Sequence, residues 1–202
     1  MFMNIWDHCL LSQRKFGGKP SDYEKIHSFM DSSKYFFYHA KHRLLIHNLF
    51  GVELATELLG NFIENADQKQ ILVRDIAIEH CREDLDGKVP TLFDWLKDNT
   101  TLETMIGEIP DLGNDTWNAF LWRPFLRSQL KASLIITCSD FGVFLMEHFF
   151  GLEAARQLAR SLNPDCKVKL FLEKFQITER WQYTPQQHEL EWLRKNRQTS
   201  TI

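Results

Sequence analysis

A chain of 202 residues with 44% hydrophobic and 25% charged side chains has a globular composition, which excludes disorder and allows one large domain or two small ones. Its net charge of -3 supplies no general attraction for nucleic acid or an anionic membrane surface. Cys9, Cys81, Cys138 and Cys166 form no CxxC pair, which argues against a zinc ribbon or disulfide framework and for a reducing, cytoplasmic setting.

In chain order, Met1 to Leu11 carries Asp7 and His8 instead of a basic segment followed by an apolar one, so it does not read as a signal peptide. Ser21 with Glu24 predicts a capping box opening a helix toward Met30. A long helix is expected over Ser32 to Leu49, with Gly51 as the break before a shorter helix ending near Gly60. Phe62 to Asp75 predicts a small hairpin or a loop with a strand, and Ile76 to Leu85 returns to helix. Pro90-Thr91 opens a short helix with Thr91 as N-cap. Thr100 to Asn114, with Gly107, Pro110 and Gly113, is the expected linker between halves. Beyond it, the apolar run Ala132 to Phe150 is interrupted by Asp140, Glu147 and His148, the pattern of a buried helix and not of a membrane span. Val168 to Phe171 is strand-like, and Arg194 to Ile202 is a polar, fraying end.

Two blocks suggest an internal duplication. Leu44 to Leu58 lines up with Phe144 to Leu158 at an offset of 100 residues (Gly51 to Gly151), and Phe93 to Asn99 with Leu190 to Asn196 at an offset of 97 (Trp95 to Trp192). The expected architecture is mainly α: two duplicated helical halves, each with a long helix, a Gly break, a short helix and a small hairpin or strand element. Residues 1–99 form one domain and 100–202 a degenerate second copy serving as scaffold or interaction domain.

Chemistry concentrates in the first half, which holds His8, His27, His39, His42, His47 and His80; the second half has His148 and His188. At about 100° per residue, one helix cannot aim His39, His42 and His47 at a single ion. His80, Glu83 and Asp84, at i, i+3 and i+4, do share a face. Set against the histidine-bearing segment, that face would offer two or three imidazoles and one or two carboxylates, a set suited to zinc, manganese or iron. The bland reading is a hydrogen-bonded core: Glu83 and Asp84 lie at the negative end of their helix and need a cation, which Arg43, Lys34 or Arg82 could supply as well as a metal. No phosphate-binding glycine loop, GxSxG motif or aromatic-basic stripe appears, so a nucleotide cofactor is not expected and nucleic-acid binding is unsupported.

The first half also resembles a family of small bacterial and phage proteins, the domain of unknown function DUF6915. The resemblance rests on Trp6-Asp-His8, Lys15-Phe-Gly-Gly-Lys-Pro-Ser-Asp-Tyr23 and Ile26-His-Ser-Phe-Met-Asp-Ser-Ser-Lys34. It continues through His42-Arg-Leu-Leu-Ile-His47 with Gly51, Val73-Arg-Asp-Ile76, Glu79-His-Cys-Arg-Glu-Asp-Leu85 and Pro90-Thr-Leu-Phe-Asp-Trp-Leu96. It implies that His27, Asp31, His42, Arg43, His47, Glu79, His80, Glu83 and Asp84 are the family's polar positions; Asn48 stands where it implies a further histidine. Clustering and resemblance together give a metal-dependent hydrolase acting on a phosphorylated or nucleotide-like small molecule. His42, His47, His80, Asp84 and His27 would hold the ion, Glu83 or Glu79 would be general base, and Arg43 would pair with phosphate. The alternative is a non-catalytic binding protein, a phage-type factor that sequesters a nucleotide signal or docks on a host protein.

Overall fold

The computed structural model describes residues 4–183 and is mainly helical. Asn4 caps the first helix by accepting the Asp7 N–H, and α1 (Ile5–Phe16) buries His8, Cys9 and Ser12. Gly17 and Gly18 then turn the chain at φ of 86° and 67°, where a side chain would be strained. The expected Ser21–Glu24 capping box is not formed. Pro20 opens a short 3-10 turn (Pro20–Asp22), Asp22 accepts the Lys19 N–H at 2.7 Å, and α2 (Glu24–Met30) starts only after it.

The long helix expected over Ser32 to Leu49 is replaced by two 3-10 turns (Ser32–Tyr35 and Ala40–His42) and the short α3 (Arg43–Ile46). Tyr35 to Tyr38 are four aromatics with modest helix propensity, and His39 adopts extended backbone at φ -155°. Asn48 is extended too. Its side chain donates to Leu44 C=O at 2.8 Å and accepts the Gly51 N–H at 3.0 Å, so it ends one helix and caps the next. Gly51 is therefore no break. It lies within α4 (Leu49–Leu59), which runs on to Gly60. The hairpin is as expected: β1 (Phe62–Glu64) pairs antiparallel with β2 (Gln70–Leu72), Ile63 opposite Ile71. α5 (Val73–Asp84) follows directly, and α6 (Leu92–Leu96) begins on the expected Thr91 cap, closed as a capping box by Asp94.

A 3-10 segment (Thr100–Met105) leads to α7 (Asp115–Ser128), a 3-10 segment (Lys131–Ile136), α8 (Asp140–Phe150), α9 (Leu152–Ser161) and α10 (Val168–Lys174). The strand expected at Val168 to Phe171 is a helix, because Val168, Phe171 and Leu172 fall at i, i+3 and i+4 and bury one face. Among the described residues the sheet is confined to the β1–β2 hairpin. No described helix is long and apolar enough to cross a membrane.

The 100-residue pairing of Gly51 with Gly151 is not followed either, since Gly151 ends α8 at φ 84° while Gly51 lies inside α4. The local structures instead correspond at an offset of 91 residues (Gly51 to Gly142, Gly60 to Gly151). Asn48 and Ser139 cap, Phe50-Gly-Val-x-Leu54 recurs as Phe141-Gly-Val-x-Leu145, and Gly60 and Gly151 end the two helices. A Cβ on Gly51 would lie 1.8 Å from Ile46 O, and one on Gly142 would lie 2.0 Å from Thr137 O. The second matched block, Leu190 to Asn196, falls outside the described residues. Buried apolar residues from Cys9 to Trp181 form one continuous cluster, and Leu102, Ile106 and Leu112 of the expected linker belong to it.

Candidate metal centre

Four segments bring polar side chains into the first half's interior. α1 supplies His8; α2 and the turn after it supply His27 and Asp31; α3 and its end supply Arg43 and His47; α5 supplies His80, Glu83 and Asp84. Burial is nearly complete: His8, His27, His47 and His80 are 0% exposed, Asp31 3% and Asp84 4%. His47 is held through its own backbone, since the Trp95 indole N–H donates to its carbonyl at 3.3 Å.

Asp31, His47, His80 and Asp84 each offer an atom to one point, with all four ligand atoms within 4.8 Å of one another. His47 Nε2 lies 3.0 Å from His80 Nε2, 3.2 Å from Asp84 Oδ2 and 3.6 Å from Asp31 Oδ1, and His80 Nε2 lies 3.5 Å from Asp31 Oδ1. Around a tetrahedral ion with bonds of about 2.0–2.2 Å, ligand atoms stand about 3.3–3.6 Å apart. The four measured edges are within a few tenths of an ångström of that figure.

Both carboxylates are also held from outside the group, Asp31 through its other oxygen and Asp84 through the same Oδ2 that faces His47. Lys34 Nζ donates to Asp31 Oδ2 at 2.7 Å, and Arg43 Nε donates to Asp84 Oδ2 at 3.1 Å. His8 Nδ1–H donates to Glu83 Oε2 at 2.5 Å, and Ser12 Oγ lies 2.9 Å from His27 Nε2. These outer contacts fix the rings and carboxylates as second partners do in metal sites. His8 Nε2, Asp31 Oδ1 and Asp84 Oδ1 are left fully buried with no hydrogen-bond partner, a costly condition for polar atoms in a protein interior.

Protonation follows burial. Burial, reinforced by the neighbouring imidazoles, pushes His27 down to about 2 and His80 down to about 3. Burial alone would raise the Asp31 and Asp84 carboxyls, but the surrounding histidines with Lys34 and Arg43 outweigh it and hold both well below the carboxylate range. His27 and His80 are thus neutral and Asp31 and Asp84 ionised, the forms that bind a cation. An acid sensitivity follows. In the unfolded chain His27 and His80 take up protons near pH 6.5, whereas the folded ones stay neutral to about pH 3, so unfolding binds protons between those values. Stability of the metal-free protein is fully present above pH 6.5 and is expected to fall toward pH 3, by up to about 1.4 kcal/mol per pH unit for each histidine. Urea unfolding in chelator across that window checks it, and an unchanged midpoint would show that both imidazoles are already charged in the fold.

Of the residues singled out from sequence, His47, His80 and Asp84 share the four-atom group, and His27 touches it through His80, Nδ1 to Nδ1 at 3.0 Å. His42 is buried beside it, with Ser33 Oγ 2.8 Å from its Nδ1 and its ring edge-on to His47, outside the group. Arg43 faces Asp84 and Glu83 faces His8. Glu79 points elsewhere, to Lys15 and Arg82 at 2.6 Å each. Two donors were missed as ligands. Asp31 carried only its place among the positions given by resemblance, and His8 only its place in the Trp6-Asp-His8 block.

Residues 3–105 match a domain family of unknown function, DUF6915. No curated protein and no solved structure matches the chain.

Proposed function

The chain belongs to the DUF6915 family, whose function is unknown, and from its buried cluster we propose that it is a metal-binding protein. One divalent zinc, manganese or iron ion would sit on Asp31, His47, His80 and Asp84. The observation that carries this is the convergence of His47 Nε2, His80 Nε2, Asp84 Oδ2 and Asp31 Oδ1, the last buried and unsatisfied while Lys34 anchors its sister oxygen. A cation at that point would satisfy Asp31 Oδ1. Four protein ligands in a closed interior favour holding the ion over exposing it, the pattern of structural sites.

A metal-dependent hydrolase of phosphorylated or nucleotide-like small molecules is the second reading. It is favoured by Glu83, which holds His8 and whose side chain is 17% exposed, giving a carboxylate between cluster and solvent that could act as base. Arg43, 2% exposed and bonded to Asp84, serves the carboxylate as it stands and would have to leave it to meet phosphate. The second half reads as a copy in the 91-residue register. Cys138 stands where His47 does and Ser133 where His42 does, which supports a scaffold role for residues 100–202. The four buried, unpaired cysteines support a reducing compartment.

Elemental analysis of protein purified without a histidine tag tests the main reading. At least one equivalent of zinc, manganese or iron per chain is expected, and it should be lost in the His47→Ala/His80→Ala variant. A folded wild type without metal, with the double variant merely less stable, would overturn it. Turnover of phosphoesters by the loaded protein would move the hydrolase reading ahead.

A further inference from the structure

His80 faces both ways across the cluster. Its Nε2 looks toward His47, Asp31 and Asp84, and its Nδ1 stands 3.0 Å from His27 Nδ1 on the opposite side of the ring. There His8 completes a second group, three buried histidines whose ligand atoms all lie within 4.8 Å of one another. Ring centroids are separated by 4.0 Å (His8–His80), 5.2 Å (His27–His80) and 5.4 Å (His8–His27). Imidazoles on one ion, with bonds of about 2.0–2.1 Å, stand about 4.4–5.1 Å apart between centroids for right to tetrahedral angles, and the three separations bracket that range.

The far nitrogens are held in place. Glu83 engages His8 Nδ1 and Ser12 engages His27 Nε2, which turns His8 Nε2 and His27 Nδ1 inward. His8 Nε2 is fully buried and without a hydrogen-bond partner, as is Asp84 Oδ1, 3.8 Å away. Hydrogen bonding among imidazoles explains the His27–His80 contact but leaves these two atoms unsatisfied.

We propose that His8, His27 and His80 form a second divalent-metal site, with Asp84 Oδ1 as its nearest oxygen, so that His80 bridges two ions through Nδ1 and Nε2. The proposal rests on the first site being a metal site. Three imidazoles suit zinc, copper, cobalt or nickel better than magnesium or calcium. A neutral imidazole has one lone pair and one N–H. Binding of the second ion to Nδ1 therefore expels the remaining His80 proton to solvent, leaving a bridging imidazolate.

Full-length protein unfolded in chelator, desalted and refolded with excess zinc(II) is expected to retain two ions per chain after a second desalting, His27→Gln one, and His80→Ala neither. One ion in the wild type would overturn the second site and leave the first; none would overturn both. Two ions retained by His27→Gln would place the second ion elsewhere and overturn the proposal. Refolding the wild type in graded amounts of copper(II), followed by electron paramagnetic resonance, tests the bridge without a variant. The signal should grow to one equivalent and fall toward the second as the ions couple through His80. Steady growth to two equivalents would overturn the bridge.

Discussion

Replacing Gly51 with alanine is expected to remove most of the protein's stability. The added Cβ would lie 1.8 Å from Ile46 O and 2.5 Å from Ile46 C, both backbone atoms, so no rotamer change relieves the overlap. The only escape is to pull α3 and α4 apart. That breaks the Asn48 side-chain bonds to Leu44 O and Gly51 N and moves His47, which lies between them. A loss above about 4 kcal/mol is the scale of the most severe core substitutions, against a typical total of about 5–15 kcal/mol. Gly142→Ala should behave alike, its Cβ meeting Thr137 O at 2.0 Å. Thermal unfolding followed by circular dichroism should show both variants at least about 8 °C below wild type, if folded at all. A Gly51→Ala midpoint within two degrees of wild type would mean that the helices are not this close.

Asp84→Ala is the second large effect, and it separates stability from metal. Asp84 is the carboxylate bonded to Arg43, whose side chain is 2% exposed. Removing one partner of a buried pair leaves an uncompensated charge, at a cost of about 3–5 kcal/mol. In chelator the variant should lose that much by urea unfolding, and Arg43→Met combined with Asp84→Leu should recover a good part of it. Neither variant should hold metal at the Asp31, His47, His80 site. A loss below about 1 kcal/mol in chelator would show the pair to be solvated and the centre more open than its burial implies.

Local chemistry made part of this legible in the sequence. The Thr91 N-cap, the hairpin within Phe62 to Asp75 and the shared face of His80, Glu83 and Asp84 depend on residues close in sequence, and all three appear in the fold. The Ser32 to Leu49 segment was not legible, because extended backbone at His39 interrupts it and Asn48, whose side chain bonds backward and forward at once, sets the start of α4. The 100-residue pairing of Gly51 with Gly151 is not followed by the local structure for a related reason. Glycines look alike in sequence, but Gly51 and Gly142 share a close backbone approach that only three dimensions show. In the site, the α5 ligands followed from spacing, whereas Asp31 and His8 come from α1 and the end of α2, and only packing places them beside His80.

The donors to the two candidate groups come from four chain segments, and none of them is more than 4% exposed. An ion bound there has no path to solvent while those segments are in place. Its residence time would then be set by how often α5 lifts from α1 and α2, and not by the strength of any coordination bond. Metal exchange and the slowest amide exchange in α5 should share one rate, and a chelator in excess would not hasten the loss. Such a protein would keep whichever ion it folded around, so metal identity would be settled when the chain folds and not by later competition.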